Sequence, residues 1–276
     1  MCTRAIVCVQ SHGKLLGKTT EVKMKFEDLF EHDFFKEVMQ DSVDTQHALG
    51  LKLTDDIDDF ENIDELQFYV MRVGFSLSHA YTWVEQLHQA VHFMSNYNYS
   101  ESKKAKEVRI NRPAHLLYNV ENYLIRLQSA YDRCLQLTNA VFHICISDEL
   151  VAHSVLVSNL QISRTSIPKL LKTIRKVIDA HAQSRHQLVH RHSHMDPELR
   201  KIELLYMHSK ETWPDDAKFS YERLVTFRAE RIRSFTKKKK LEFEKINDAL
   251  VLALGPFFDE LHIQYKRQKL RITKLL

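Results

Sequence analysis

Two stretches of more than thirty residues carry apolar side chains at alternating spacings of three and four, and this pattern decides the fold class. In residues 63–96 the stripe is Leu66, Val70, Val73, Leu77, Tyr81, Val84, Leu87, Val91 and Met94. In residues 114–146 it is Leu117, Val120, Leu124, Leu127, Tyr131, Leu135, Thr138, Val141 and Phe142. Each predicts a long amphipathic helix, and Pro113 suits the first turn of the second. Joined by a modest charged connection, the two should lie antiparallel. Only five Gly and five Pro interrupt all 276 residues. That is too few for a sandwich or barrel, which needs a turn every 8–12 residues or so.

The remaining chain reads as helix as well. Residues 26–49 predict one helix through Phe26, Leu29, Phe30, Phe34 and Val38. Residues 3–24 suggest a short hairpin or an irregular arm, and 54–62 an acidic linker. Ser147-Asp148 predicts the cap of a helix over 149–160, and Thr165-Ser166 with Pro168 starts another that runs into a histidine-rich stretch. Asp196-Pro197-Glu198 starts the next, and Trp213-Pro214 opens the last element, with Gly255-Pro256 predicted to end or kink it before a separate terminal helix. The expected architecture is an all-α bundle of long antiparallel helices. Residues 1–62 form an N-terminal arm and acidic extension, 63–212 the bundle core, and 213–276 basic helices packed on it, together one compact domain.

Composition narrows the function. The five glycines form no phosphate-binding fingerprint. Cys2, Cys8, Cys134 and Cys145 form no CxxC pair, and Cys134 and Cys145, eleven apart in a helical pattern, read as reduced, buried thiols. No apolar run approaches the ~18 residues needed to span a bilayer, so a cytoplasmic location without membrane contact is expected. Charge is uneven: residues 26–65 carry a net −12, whereas residues 217–276 carry +8. Such segments attract each other within a protomer or between protomers, and the basic one can track a polyanion.

Five of the sixteen histidines fall between His181 and His194. Imidazole gives and takes a proton near neutrality, and here it stands beside the permanent charge of Arg185. On an ideal helix Arg185 and His190 are about 140° apart around the axis and about 7.5 Å along it. They can border one cleft where a second helix crosses. Three readings follow: phosphate chemistry, a cationic helix cap, or a metal nest from His186, His190 and His194 at i,i+4 spacing. Against the metal, no glutamate lies inside the cluster, Arg191 repels a cation, and Asp196-Pro197 restarts a helix at once. Glu121 and Asp132, on one face of the preceding long helix, are candidates to orient His190 or pair with Arg185. Arg191, Arg228, Arg231, Arg233, Lys237 and Lys238 are candidates to follow an RNA backbone.

Arg185-His186-Gln187-Leu188-Val189-His190 resembles the signature of HEPN domains: an arginine, commonly a polar residue after it, and a histidine after four to six intervening positions. Asn119-Val120-Glu121-Asn122-Tyr123 and Tyr131-Asp132-Arg133 are similar to a bacterial branch of that family, and the resemblance covers roughly residues 65–206. It implies a helical bundle and a metal-independent endoribonuclease without cofactor. It also implies a homodimer with a composite site, employed as a toxin or phage-defence effector and held by an antitoxin or regulatory partner. Arg185, His186 and His190 would carry catalysis. The alternative is a non-catalytic HEPN-like module that binds nucleotides or a protein.

Overall fold

The computed structural model describes residues 24–50, 63–97, 111–179, 196–214 and 216–276. Among them are nine α-helices, one 3-10 turn and no strand. The helices are α1 (Phe26–Phe30), α2 (Asp33–Ala48), α3 (Glu65–Ser95), α4 (Arg112–Val141), α5 (His153–Ser158), α6 (Leu160–Ser163), α7 (Ile167–Asp179), α8 (Pro197–Tyr206) and α9 (Tyr221–Thr273). The all-α bundle expected from periodicity is what forms.

Local chemistry starts the two central helices where the sequence indicates. Asp64 accepts from Gln67 N at 2.8 Å while the Gln67 side chain accepts from Asp64 N at 3.0 Å, a reciprocal cap for α3. Asn111 accepts from Ala114 N at 2.9 Å and Pro113 sits in the first turn of α4. Tyr69 in the first turns of α3 donates to the carbonyl of Val141 at the end of α4, at 2.9 Å. At the other end Arg112 donates to the carbonyl of Met94 at 3.1 Å. Start against end at both poles makes the pair antiparallel.

Helix α9 lies across this pair. Its middle meets α4, where Tyr123 stacks on Phe243 with ring centroids 3.7 Å apart, and its far end meets α3, where Tyr265 stacks on Tyr69 at 5.6 Å. It therefore runs parallel to α4. One cluster of buried residues joins every long helix, from Leu29 to Ile272. α2 closes on α3 where Gly74 leaves room: a Cβ there would stand 2.1 Å from Ser42 Oγ. The acidic and basic segments do meet within the protomer. Glu37 of α2 bonds His262 at 2.7 Å and Lys266 at 3.0 Å of α9, and Asp41 takes Lys269 and, at 2.7 Å, Tyr265 Oη. Burial opposes charge on Glu37, but these bonds outweigh it and hold the carboxyl below its usual range.

Several expectations need correction. Residues 26–49 form two helices, because His32 is extended and its Nδ1 accepts from Phe34 N at 3.2 Å, capping α2. Residues 149–160 form a 3-10 turn, then α5, then α6, since Asn159 is extended and caps α6 through Gln161 N. Trp213 does not open the last helix: its indole donates to Phe219 O at 3.0 Å in a turn, and Ser220 caps α9 instead. Gly255-Pro256 does not end the helix. α9 runs 53 residues through Pro256, so the basic C-terminal pair is one helix. Proline removes the bond to the carbonyl of Leu252, whose residue is exposed, and Gly255 gives Met24 a close approach, 2.7 Å from where a Cβ would stand. Residues 3–23 of the arm and the linker at 54–62 lie outside the described residues.

Candidate functional site

Arg185, His186, His190 and Arg191, with the flanking His181, His192 and His194, lie outside the described residues. The two chain ends that flank them are described. α7 leads in, with Ile167, Leu171, Ile174 and Ile178 buried against the core and Lys172, Arg175, Lys176 and Asp179 exposed. α8 leads out. Asp196 caps it, accepting from Glu198 N at 2.9 Å and Leu199 N at 3.4 Å, as the Asp-Pro-Glu signal predicts. The same carboxylate meets Lys239 of α9 at 3.2 Å, and Glu198 meets Lys238 at 3.0 Å. Burial would raise the Asp196 carboxyl, but the two backbone N–H groups and Lys239 overcome it and hold it low. The first turn of α7 is fixed to α9 as well, Ser166 Oγ donating to Glu260 at 2.7 Å. The helices on either side of the motif are thus each bonded to one long helix, α7 at its start and α8 at its cap.

Where α7 ends, Tyr131 of α4 bonds His153 Nδ1 at 2.6 Å, and Arg175 pairs with Asp179 at 3.3 Å. Burial pushes the Tyr131 hydroxyl up to about 12, with the Arg175 charge acting the other way. Burial and Arg175 hold His153 below the usual imidazole range. An uncharged imidazole with its lone pair at Nδ1 accepts a hydrogen bond from the tyrosine O–H. Tyr131, Asp132 and Arg133 are consecutive on α4, yet only Tyr131 is buried; Asp132 is exposed and Glu121 half-buried. Eleven residues separate Glu121 from Asp132, about 16 Å along the axis. The two share a face, but they cannot both reach one imidazole.

The basic residues of α9 divide by burial. Arg231, Arg233, Lys237 and Lys238 are exposed, with Arg231 over the ring of Phe227 at 4.8 Å. Ser234, Lys237, Lys238, Leu241, Glu242 and Lys245 line an open groove of 680 Å³. Arg228 departs from its expected place on a solvent-facing RNA track. It is 7% exposed, donates to Leu205 O at 2.9 Å and His208 O at 2.6 Å, and lies over the rings of Tyr206 and Tyr221. It holds the α8–α9 connection. Arg228→Ala strands those carbonyls and is expected to cost about 1–3 kcal/mol in urea unfolding. Arg231→Ala and Arg233→Ala should stay within about 0.5 kcal/mol; equal effects from all three would remove the distinction.

Sequence reasoning missed Lys239 as the partner of Asp196. The two are 43 residues apart, and Lys239 sits inside a run of four lysines with no local mark to single it out. Among the described residues no three His, Cys, Asp or Glu side chains gather as a metal-ligand set, and no helix is long and apolar enough to cross a membrane.

A family model described as Cthe2314-like HEPN matches residues 76–258, about two thirds of the chain. The protein belongs to the HEPN family. The match begins in α3, takes in α4, α7, α8 and the first two thirds of α9, and includes positions 185–190. No curated protein and no solved structure matches the chain. The match thus extends past residue 212 into α9.

Proposed function

We propose that this HEPN protein is a metal-independent endoribonuclease, acting as a homodimer in toxin or phage-defence roles. The observation that carries the proposal is the position of Arg185 and His190 inside the matched span, between α7 and α8, two helices that are each bonded to the basic helix α9. His190 takes the proton of a ribose 2′-hydroxyl, which attacks the adjacent phosphorus. The partner protomer's histidine protonates the leaving 5′-oxygen. Arg185 holds the phosphate with paired N–H donors and stabilises charge on its non-bridging oxygens. His186 orients one of these groups. Arg231, Arg233, Lys237 and Lys238 supply a cationic face for the RNA backbone, and Arg191 a further charge beside the motif. The products are a 2′,3′-cyclic phosphate and a 5′-hydroxyl.

The test is purified protein with mixed RNA and excess chelator, followed by analysis of the ends. Cleavage leaving cyclic phosphates is expected. Cleavage that stops with chelator revives the metal reading of the histidines. No cleavage in any condition favours a binding module.

A further inference from the structure

The turn after α4 holds a cluster unrelated to the motif. Cys145, expected to be buried in a helix, is exposed there, because α4 ends at Val141. The turn is clasped by Asn139, whose Nδ2 donates to Ile146 O at 2.8 Å and whose Oδ1 accepts from Ile146 N at 3.2 Å. His143 and Cys145 both adopt left-handed backbone, φ 51° and 58°, which is uncommon outside glycine. The turn faces one stripe of α3, where Glu65, Phe68, Tyr69 and Arg72 recur at spacings of three, one and three. The His143 ring stands edge-on to Tyr69 at 5.3 Å and Phe68 at 6.3 Å, which fixes its plane.

Two polar side chains then converge on the sulfur, and a third orients one of them. Arg72 Nη1 donates to Cys145 Sγ at 2.9 Å. His143 Nδ1 lies 3.9 Å from Sγ, and His143 Nε2 bonds Glu65 Oε1 at 2.5 Å. The carboxylate accepts a hydrogen bond from Nε2–H, so the lone pair at Nδ1 faces the thiol. Nucleophile, base and orienting carboxylate are in sequence, with a cation at the sulfur. A 300 Å³ cavity adjoins, with Glu65, His143, Gln161, Gln268 and Arg271 on its lining together with the apolar Phe142, Ile272, Leu275 and Leu276. Cys134, the other described cysteine, is fully buried, and burial pushes its thiol up to about 12.

We propose that Cys145 is a modification site, a thiol activated by His143 and Arg72 that is oxidised by hydroperoxides. The small cavity, part polar and part apolar, suits a small hydroperoxide. His143 takes the thiol proton, and the sulfur attacks one peroxide oxygen. The S–O bond forms as the O–O bond breaks, and the departing oxygen takes the proton back from His143. Sulfur loses two electrons and the peroxide gains them, giving a sulfenic acid and water or an alcohol.

The experiment treats the full-length protein with hydrogen peroxide at pH 7 and traps sulfenic acid with dimedone. Peptide mass spectrometry then reads each cysteine separately. Cys145 is expected to label at least about tenfold faster than a free peptide carrying the same turn sequence. Arg72→Ala should slow it at least about fivefold with unchanged circular dichroism. His143→Asn should do the same, since Asn tolerates the left-handed backbone but is no base. Labelling at the peptide's rate, or equal labelling in wild type and both variants, overturns the proposal.

Discussion

His190→Ala is expected to lower RNA cleavage in chelator by about 10³-fold, within the range ascribed to general acid and base groups. In a composite dimer the effect should lie above the low end of that range. One histidine type supplies base and acid from opposite protomers, so one substitution removes both. Arg185→Ala should cost about 10²–10³-fold, by withdrawing donors from the charge that develops on phosphorus oxygens. Neither variant should lose more than about 0.5 kcal/mol in urea unfolding, since the two side chains are assigned to the phosphate and not to the core. A collapse of the fold in Arg185→Ala would favour a cationic helix cap. His190→Ala cleaving as fast as wild type ends the nuclease reading, and a protein that sediments strictly as a monomer at working concentration ends the composite one.

How much of this was legible beforehand depends on the range over which each determinant acts. α3 and α4 were readable because their stripes and caps are local: Asp64 with Gln67, and Asn111 with Ala114, lie three residues apart. Asp196-Pro197 was readable for the same reason. What failed was decided at a distance. His32 breaks a periodic stretch by bonding Phe34 N and reaching Asp259 at 3.2 Å, 227 residues on. Pro256 stays inside α9 because its face is solvated while Gly255 packs on Met24, a pairing that α9's own sequence does not reveal. Arg228 and Arg231 look alike in a row of charges, yet the first is buried among carbonyls about twenty residues back in the chain. The motif itself was fully local, six consecutive residues, which is why it was found without any fold. Cys145 shows the converse: helical periodicity continued past Val141 conceals the turn that exposes the thiol.

Phe243→Ala should be among the most destabilising single changes in the core, about 3–5 kcal/mol. Its ring is 1% exposed and lies 8° from parallel to Tyr123, so truncation opens a cavity between α4 and α9 that neither helix can close without sliding. The tyrosine hydroxyl, pushed strongly up by burial, donates to Asn247 Oδ1 at 2.9 Å. Tyr123→Phe keeps the ring and leaves that oxygen without this donor, at about 1–3 kcal/mol. Asn247→Leu in the Tyr123→Phe background should recover part of the loss, because both polar partners are then gone. Urea midpoints at constant m-value measure all three, and the double mutant gives the coupling directly. Because Lys239 and Glu260, which bond the helices on either side of the motif, sit on the same helix as Phe243, loosening α9 should also lower RNA cleavage below what the unfolded fraction explains. If Phe243→Ala cleaves RNA in proportion to its folded fraction alone, α9 stabilises the HEPN bundle without positioning the motif.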